Sequence, residues 1–539
     1  MVPTIYVGNL LSRLVLPEGT EYYYYPMLQE IDNELSFDIP GREHTFLYNK
    51  FDKNGARLWD GRKHLINITG RPLKKVASKR IVTEPWMFFT GNLSRILKIT
   101  YKYGFLPEII SNINYELKED NIYNYNWNED FNLRDYQINC VESAIKNKRG
   151  LLQIATGGGK TIIASKIINS LKIKPVVFFV TTKDLLYQAY NVFKNVLKEE
   201  IGIIGDGKCN IENVNISTIQ TAMRCIGKLD DFSKSMKELS SWIDEDFNLQ
   251  EDEIEPSNIS KINNLLQSAK LVIFDECQHA PADTCREVLL QCVESTHRFG
   301  LSATPFREDG EDLTIEGLFG DTLINVSSSF LIENNYLVQP SIYMFNLKSK
   351  SMARSYQAEY KESIVENTER NNWIATIAKS YSDINKTVLI LVKQIKHGEI
   401  LKKLIDEAVF IDGKKTSNFR TKTIGDIRER NINVVIATTL ADEGLDLPSL
   451  DVLILAGAGK SKTKALQRIG RVIRTYPGKK QAIVIDFNDN SKYCHKHSLA
   501  RQKIYKLEPK FLFNKIDPEN LLSNKTIAKN IIIDQSELF

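Results

Sequence analysis

The distribution of apolar residues divides the chain into an irregular first part and a regular remainder. From about residue 133 onward, short apolar runs alternate with segments whose apolar residues recur at helical spacing. Near-continuous runs of this kind are typical of parallel strands that are buried on both faces. The runs are 151–154, 175–180, 214–217 and 271–274, and then 387–392, 433–438, 452–455 and 482–486. Strands that alternate with helices predict two successive α/β domains, each with a doubly wound parallel sheet.

The first part of the chain is rich in aromatic and turn residues and predicts a small α+β domain. Residues 57–62 are typical of a strand that runs into a turn, with 63–66 as the return strand. A helix closed by Gly104 is predicted where apolar residues share one face, at Leu93, Ile96, Leu97, Thr100 and Tyr101.

These patterns predict four segments. They are an N-terminal α+β domain at 1–125, a first α/β domain at 126–340, a second at 341–508 and a C-terminal tail at 509–539. Residues 121–132, rich in Asn and Tyr, are predicted to be a linker. Residues 229–260 are acidic, rich in Ser and without clear periodicity, which predicts an inserted loop.

Composition narrows the class of protein. With 539 residues, 42% hydrophobic and 26% charged, the chain has the composition of a soluble globular protein. Its seven cysteines lack C-x-x-C spacing, which favours a reducing compartment and argues against a zinc module. No run approaches the length of a membrane span, and no signal pattern opens the chain, so we expect an intracellular, cytoplasmic protein.

The net charge of +4 is too small to indicate nucleic-acid binding by itself. Residues 456–506, however, contain thirteen Lys and Arg against two acids, Asp486 and Asp489, and nucleic acid is the expected partner of such a local basic surface. A second basic group could contact a phosphate backbone, although solvated surface charge explains it equally well: Arg71, Lys74, Lys75, Lys79 and Arg80.

The clearest chemical signal is the sequence Thr156-Gly157-Gly158-Gly159-Lys160-Thr161, which joins an apolar run to a helical segment. Glycines let backbone N–H groups close around phosphate oxygens, and the helix N-terminus adds its positive dipole end. Lys160 would neutralise the β- and γ-phosphates, and the Thr161 hydroxyl would ligate Mg²⁺. A nucleotide-binding P-loop is therefore predicted.

A pair of adjacent carboxylates, Asp275 and Glu276, ends a later apolar run. Because such a pair is costly at the end of a buried strand, it is expected to have a cation to hold. Asp275 would hold Mg²⁺, and Glu276 would polarise the attacking water. In the sequence D-E-C-Q-H, His279 is expected to have a polar coupling role, and the small hydroxyl residues Ser302 and Thr304 could pass a nucleotide signal to a second domain.

Other polar residues stand at positions that suit nucleotide or DNA binding. Gln137 belongs to the segment 133–137, which lies about sixteen residues ahead of the P-loop stretch 151–161, and its side chain offers a donor and an acceptor to an adenine. Arg471 and Arg474 are three apart and are predicted to share a helical face, where two guanidinium groups could act as arginine fingers on a triphosphate. Thr181 and Thr218 follow apolar runs and could bind backbone phosphates.

Taken together, these segments resemble the motifs of superfamily 2 helicases of the DExH type. Order and spacing match over about 133–486. The matching segments are L-R-D-Y-Q (the Q-type motif), A-T-G-G-G-K-T (I), D-E-C-Q-H (II), S-A-T (III), T-L-A-D-E-G-L-D (V) and Q-R-I-G-R-V-I-R (VI). The run R-F-G-L-S-A-T-P-F-R-E-D-G is most similar to the branch that contains the repair helicase XPB and phage helicases. The stretch L-W-D-G-R and the later helix ending in Y-G-F resemble the N-terminal domain of the phage helicase UvsW.

The resemblance implies two tandem RecA-like domains with ATP and Mg²⁺ in their cleft, and an N-terminal domain that recognises DNA structure. It also assigns roles to single residues. It implies that the nucleotide is bound by Arg134, Gln137, the P-loop, Gly444 and Asp446, and that the catalytic residues are Lys160, Asp275, Glu276, Gln467, Arg471 and Arg474. It implies that DNA is contacted by Thr181, Thr218, Thr438, Arg62 and Lys63, and that the coupling residues are His279, Ser302 and Thr304.

The function implied is that of a DNA-stimulated ATPase, a monomer, which unwinds or branch-migrates forked and junction DNA in recombination, repair or replication restart. If the chain is encoded by a phage, its location is the host cytoplasm. An RNA helicase and a translocating subunit of a restriction or defence complex are the alternatives among enzymes. A catalytically inactive scaffold is the alternative outside them, and the intact Lys160, Asp275 and Glu276 argue against it.

Overall fold

The computed structural model describes residues 2–51, 53, 55, 57–68, 82, 84–116, 118–226, 255–305, 309–347, 351, 353–412, 417–438, 447–459 and 462–518. The chain forms two compact units, a first that holds most residues as far as Asn325 and a second that holds the residues from Val326 onward. In the part of the chain so described, no helix is long and apolar enough to cross a membrane.

The first unit begins with a small α+β body, as predicted. Its elements are β1 (Thr4–Val7), β2 (Leu11–Val15), α1 (Glu21–Glu34), β3 (Ser36–Asp38), β4 (Arg62–His64), β5 (Met87–Phe89), α2 (Leu93–Lys102) and β6 (Glu108–Ser111). Four strands form a sheet in the order β5-β2-β1-β6, and β3 pairs with β4. We call residues 2–116 the N-terminal body.

The N-terminal body confirms one local prediction and corrects another. The predicted helix is α2, and Gly104 follows it with a φ of +78°. The predicted return strand is wrong, because β4 pairs antiparallel with β3 and not with residues just before it. Period-2 alternation locates a strand, but it does not identify a partner that lies far away in the sequence. The basic group from Arg71 to Arg80 lies outside the described residues.

The segment predicted as a linker, 121–132, is packed against the α/β part of the first unit. Tyr123 N–H donates to the carbonyl of Lys172, and the Tyr125 hydroxyl donates to the carbonyl of Ile173 over 2.7 Å. Asn128 N–H donates to the carbonyl of Val196. The segment is therefore a strap that is fixed by hydrogen bonds along its length.

The α/β part of the first unit is built on an eight-stranded sheet in the order β10-β9-β11-β8-β12-β13-β7-β14. The strands are β7 (Arg149–Ile154), β8 (Val176–Val180), β9 (Ile201–Gly205), β10 (Lys208–Asn210), β11 (Val214–Thr218), β12 (Leu271–Asp275), β13 (His297–Ser302) and β14 (Thr322–Val326). The helices are α3 (Asp135–Asn147), α4 (Lys160–Leu171), α5 (Lys183–Leu197), α6 (Ile219–Cys225), α7 (Pro256–Ser268), α8 (Asp283–Gln291) and α9 (Asp312–Phe319).

The central strands of this sheet pair in parallel, and the four predicted apolar runs all fall in them. Helix α7 begins inside the segment predicted as an acidic loop, so that prediction is wrong from Pro256 onward. Residues 227–254, which carry the acidic runs, lie outside the described residues.

The second unit contains a seven-stranded parallel sheet in the order β17-β18-β16-β19-β20-β15-β21. The strands are β15 (Pro340–Leu347), β16 (Val388–Val392), β17 (Val409–Ile411), β18 (Val434–Thr438), β19 (Val452–Ile454), β20 (Ala482–Asp489) and β21 (Leu512–Ile516). The helices are α10 (Ser328–Glu333), α11 (Tyr356–Tyr360), α12 (Thr368–Ser382), α13 (Ile395–Leu404), α14 (Ser417–Arg428), α15 (Lys462–Val472) and α16 (Cys494–Leu507).

The fold class is thus the predicted one, two parallel-sheet α/β bodies preceded by a small α+β body. One detail differs, because β21 lies in the segment predicted as a tail and forms the edge of the second sheet.

Candidate active site

The P-loop of the first unit connects β7 to α4. Gly157 and Gly159 both have left-handed backbone conformations, with φ of +86° and +76°, which glycine adopts without strain. Lys160 is the first residue of α4. A Cβ atom at Gly159 would lie 2.5 Å from Nε2 of Gln137, so the side chain of Gln137 packs directly against the loop. The structure thus places Gln137 beside the P-loop, and its contact with an adenine stays a prediction.

Gln137 lies in the first turn of α3 and is buried. Its Oε1 accepts a hydrogen bond from the backbone N–H of Arg134 over 3.0 Å. The Arg134 guanidinium donates to the Tyr136 hydroxyl over 3.3 Å. The L-R-D-Y-Q segment is therefore held as one turn beside the P-loop, and contact of Arg134 and Gln137 with a base stays a prediction.

Two carboxylates face the P-loop lysine at the carboxyl end of β12. Nζ of Lys160 lies 2.7 Å from Oε1 of Glu276 and 3.9 Å from Oδ1 of Asp275. Glu276 has a φ of +55°, so the chain turns sharply after the strand and directs the two adjacent carboxylates to the same cation. The predicted group of Lys160, Asp275 and Glu276 is present.

Burial and the charge of Lys160 shift the pKa values of the two carboxylates in opposite directions. Burial raises the pKa of Asp275, Lys160 opposes that rise and the neighbouring Glu276 adds to it, so the pKa of Asp275 is raised overall. Burial also favours a higher pKa for Glu276, but the charge and the hydrogen bond of Lys160 outweigh it and the pKa is lowered. Glu276 is therefore the carboxylate that is held ionised while it is paired with Lys160.

The oxygen donors at this site fit Mg²⁺ bound together with phosphates. The predicted ligands are the Thr161 hydroxyl, in the first turn of α4, and the Asp275 carboxylate at the end of β12. Mg²⁺ usually takes one or two protein oxygens and completes its shell with water and phosphate oxygens. Among the described residues, no cluster of three or more His, Cys, Asp or Glu could hold a metal alone. The arrangement thus suits a metal that arrives with a nucleotide.

A continuous hydrogen-bonded chain leads away from Glu276. Nε2 of Gln278 donates to Oε2 of Glu276 over 2.9 Å, and the Ser302 hydroxyl donates to Oε1 of Gln278 over 2.6 Å. Ser302 Oγ in turn accepts the backbone N–H of Thr304. The predicted coupling residues Ser302 and Thr304 are therefore connected to the site.

The residue that makes this connection, Gln278, was not predicted from the sequence. The sequence predicts a polar coupling role for His279, and this role stays a prediction. Its backbone N–H donates to the Glu276 carbonyl, and the charge of its side chain helps to lower the pKa of Glu276. The signal that could have identified Gln278 is the pairing of two adjacent parallel strands, since β12 and β13 pair Asp275 with Leu301 and so bring the residues after each strand together.

Thr181 follows β8, and Thr218 is the last residue of the neighbouring β11, where it pairs with Val180. Both are buried, and the Thr181 carbonyl accepts a hydrogen bond from Gln220 over 2.6 Å. The Thr218 hydroxyl caps α6 and donates to Thr221. Their contact with DNA stays a prediction.

Arg62 and Lys63 have protein partners in this structure. The Arg62 guanidinium donates to Asn33 and to the carbonyl of Ser36. Lys63 Nζ lies 2.7 Å from Oε1 of Glu311. The structure thus gives both cations a role in packing, and a role in DNA contact stays a prediction.

The second unit carries the remaining predicted residues. Thr438 ends β18 and is buried, whereas Gly444 and Asp446 lie outside the described residues. Gln467 and Arg471 lie on α15.

Arg474 corrects a prediction, because it does not share a helical face with Arg471. Helix α15 ends at Val472, and Arg474 forms an isolated β-bridge with Leu337. Burial lowers the pKa of the Arg474 guanidinium. A three-residue spacing places two residues on one face only while the helix continues.

The basic stretch 456–506 is partly internal. Both of its acids are buried and paired, Asp486 with Arg501 at 2.8 Å and Asp489 with Arg370 at 2.9 Å. Lys479 donates to the carbonyls of Pro448, Leu450 and Val472, and burial lowers its pKa to about 8. Because the two acids are internal, the positive charge of the remaining exposed lysines is not offset within this stretch.

Two family profiles match the segments of the chain that carry this site. A conserved-domain profile described as the res subunit of type III restriction enzymes matches residues 130–307. A profile described as the helicase conserved C-terminal domain matches residues 371–476. The first match covers the P-loop and the carboxylate pair, and the second covers α15.

Individual relatives match about two thirds of the chain. The chain is 29% identical over 409 residues to helicase 22 of Sulfolobus islandicus filamentous virus, covering 70% of this chain and 68% of that protein. It is 23% identical to the DNA 3'-5' translocase XPB2 of Sulfurisphaera tokodaii, covering 66% and 81%. It is 22% identical to the ATP-dependent DNA helicase uvsW of Enterobacteria phage T4, covering 69% and 74%.

Proposed function

Because the chain is a superfamily 2 helicase that resembles UvsW and the XPB-like enzymes, we propose that it is an ATP-driven DNA translocase that acts on forked and branched DNA. The observation that carries the proposal is the group formed by Lys160, Glu276 and Gln278 with Ser302. A lysine, an ionised carboxylate and a hydrogen-bonded connection to the next motif are the parts that a nucleotide-driven motor needs in its first domain.

The geometry of the first unit supports ATP hydrolysis. Lys160 is paired with Glu276 here, and a bound triphosphate would supply the negative charge that draws the lysine to the β- and γ-phosphates. Glu276, freed from that ion pair, would accept a proton from the attacking water. Mg²⁺, when bound with ATP by Thr161 and Asp275, would neutralise charge that develops on the phosphates.

Closure of a second domain over the nucleotide would complete the site. We assign Gln467, Arg471 and Arg474, together with Gly444 and Asp446, to that step. Guanidinium groups that reach a triphosphate from a second domain stabilise the charge of the transition state. Binding and hydrolysis would then alternate closed and open states of the motor, and each cycle would move the domains along a strand.

DNA is the substrate that the relatives favour over RNA. One relative is named a DNA translocase and another a DNA helicase. The exposed lysines of 456–506, left without acidic partners in that stretch by the burial of Asp486 and Asp489, supply a surface that suits a phosphate backbone. We place Thr181, Thr218 and Thr438 along that path, and we assign the N-terminal body to recognition of branched structures in recombination or repair. We also propose that the protein acts as a monomer and that its source is a phage.

One alternative has a specific observation behind it. The profile that matches residues 130–307 is described as a subunit of a restriction enzyme, so a translocating subunit of a defence complex is the second candidate. In that case ATP hydrolysis would respond to duplex DNA without preference for branches.

Steady-state ATP hydrolysis, measured with a panel of nucleic acids, tests the proposal. The panel is no nucleic acid, single-stranded DNA, linear duplex, a fork, a four-way junction and RNA. We expect the greatest stimulation with forks and junctions. Equal stimulation by linear duplex would favour the restriction-type translocase, preference for RNA would favour an RNA helicase, and no stimulation by any of them would overturn the motor assignment.

A further inference from the structure

The N-terminal body contacts residues 309–319, which include helix α9 and lie shortly after Ser302 and Thr304 in the sequence. Helix α9 begins at Asp312, a few residues beyond Thr304, and its residues Thr314, Ile315, Gly317, Leu318 and Phe319 are buried. The charged side chains on this segment, Glu311 and Glu316, point to cations of the N-terminal body. Helix α9 thus contacts the N-terminal body on one side, and on the other its Phe319 ring lies 6.5 Å from the ring of Phe274 in β12, the strand that ends at Asp275.

Two ion pairs hold the segment. Lys63 Nζ lies 2.7 Å from Glu311, and their side chains are 20% and 18% exposed. The Arg95 guanidinium lies 2.7 Å from Glu316 and 2.6 Å from Glu34 at the end of α1. Arg95 therefore joins α1, α2 and α9 in one contact.

In β4, the side chain of Lys63 points away from the N-terminal body, whereas its neighbours Arg62 and His64 bind residues inside that body. His64 lies 2.9 Å from both Asp32 and Asp60, inside the N-terminal body. Arg62 also points inward, toward Asn33. Because side chains alternate along a strand, Lys63 points to the opposite side, toward Glu311.

The backbones come close enough to exclude side chains. A Cβ atom at Gly91 would lie 2.0 Å from the carbonyl oxygen of Glu316 and 2.6 Å from that of Gly317. A Cβ atom at Gly310 would lie 2.8 Å from Cβ of Phe37. At Gly91 no side chain lies between the two backbones, so a displacement of one is transmitted directly to the other.

We propose that the N-terminal body controls ATP hydrolysis through this segment, with Lys63 and Arg95 as positioning residues for the reaction. They hold Glu311 and Glu316 and thereby position α9 against Phe274 of β12, the strand that ends at Asp275 directly before Glu276. DNA bound by the N-terminal body would act on the Glu276 carboxylate by this route. The inference rests on the proposed function, because it needs a DNA-stimulated ATPase.

A charge swap in the full-length protein tests the Lys63 contact. We expect Lys63→Glu to lower the DNA-stimulated kcat about three- to tenfold without a matching rise in KM for ATP. The double variant Lys63→Glu with Glu311→Lys should recover most of that loss, because it restores an ion pair of reversed polarity. Failure of the swap to recover kcat, together with weaker DNA binding in both variants, would overturn the proposal and indicate that Lys63 contacts DNA.

Arg95 gives a second test that does not depend on Lys63. Arg95→Gln should lower the stimulated kcat by a similar factor, while Lys102→Gln is the matched control, since Lys102 lies on the same helix but pairs with Glu30 inside the N-terminal body. Thermal unfolding of each variant shows whether the fold is intact, and Glu316→Gln provides a milder variant of the same contact. Equal kcat for Arg95→Gln, Glu316→Gln and the unchanged protein would overturn the proposal. A lack of DNA stimulation in the unchanged protein would instead overturn the proposed function.

Discussion

The Ser302 hydroxyl donates a hydrogen bond to Oε1 of Gln278 over 2.6 Å, and both side chains are buried. Removing that hydroxyl leaves the buried amide oxygen without its donor, which costs about 1–3 kcal/mol. We expect Ser302→Ala to slow strand separation on a forked duplex about tenfold, while ATP hydrolysis falls less. The measurement is a comparison of unwinding and ATPase rates under the same conditions.

Ser498→Ala is the control for this prediction. The Ser498 hydroxyl is also buried, but it donates to backbone carbonyls beside α16, remote in sequence from both motifs. If the two variants slowed unwinding equally, the hydrogen bond between Ser302 and Gln278 would have no special role in coupling.

Glu276→Gln should abolish turnover and preserve binding. The amide keeps the size of the side chain and cannot accept a proton, so kcat should fall about 10²- to 10⁴-fold. Binding of a fluorescent ATP analogue and of DNA should change little. Glu294→Gln, which removes a surface carboxylate paired with Lys270, should leave kcat unchanged. Hydrolysis at the normal rate by Glu276→Gln would refute the assignment of the general base.

Gly91→Ala should destabilise the first unit. Its new methyl group would lie 2.0 Å from the carbonyl oxygen of Glu316, and overpacking of this kind costs about 1–3 kcal/mol. We expect a lower midpoint of thermal unfolding. Gly425→Ala is the opposite control, because Gly425 lies in α14 with open space around it and alanine favours helix by about 1 kcal/mol. A midpoint for Gly91→Ala at or above that of the unchanged protein would show that the two backbones are not in close contact.

Stability should fall in mild acid because of a buried histidine. Burial, aided by the charge of Arg370, lowers the pKa of His397 from 6.5 to about 3. Below pH 6.5 the unfolded chain therefore binds a proton that the folded chain does not. The contribution of His397 to the free energy of unfolding is fully present above pH 6.5 and is lost at about 1.4 kcal/mol per pH unit as the pH falls toward 3.

His397→Gln provides the comparison for the pH dependence. Carboxylates also titrate in this range, so the informative quantity is the difference in slope between the unchanged protein and the variant. Urea unfolding between pH 6.5 and 4.5 should show a shallower decline for His397→Gln. Parallel curves would show that His397 is protonated in the folded protein or does not contribute to the linkage.

Much of the α/β architecture could be predicted because the apolar runs are short and continuous. Val176–Val180 and Leu271–Asp275 have no polar interruption before their last residue, and the structure buries both strands completely on the two faces of a sheet. The P-loop and the carboxylate pair were predictable for a related reason. Each is a local sequence whose chemistry depends on a strand end that the apolar pattern already locates.

The contacts that could not be predicted from the sequence are those between distant segments. β4 pairs with Ser36–Asp38, Lys63 forms an ion pair with Glu311 about 250 positions away, and Gln278 accepts a hydrogen bond from Ser302. Periodicity describes which face a residue occupies and is silent about what lies opposite. The prediction that Arg474 shares a helical face with Arg471 is wrong for a different reason, because it extends the helix periodicity two residues beyond the end of α15.

The strap at 121–132 has a mechanical consequence. Its hydrogen bonds fix it to the ends of α4 and α5, and the close backbone contacts at Gly91 join the N-terminal body to α9 of the same unit. If the N-terminal body binds one arm of a junction, tension in that arm would reach the motor domain with little slack. The load borne by the DNA would then set the speed of the motor, and a force-dependent stepping rate is the property that an optical trap would record.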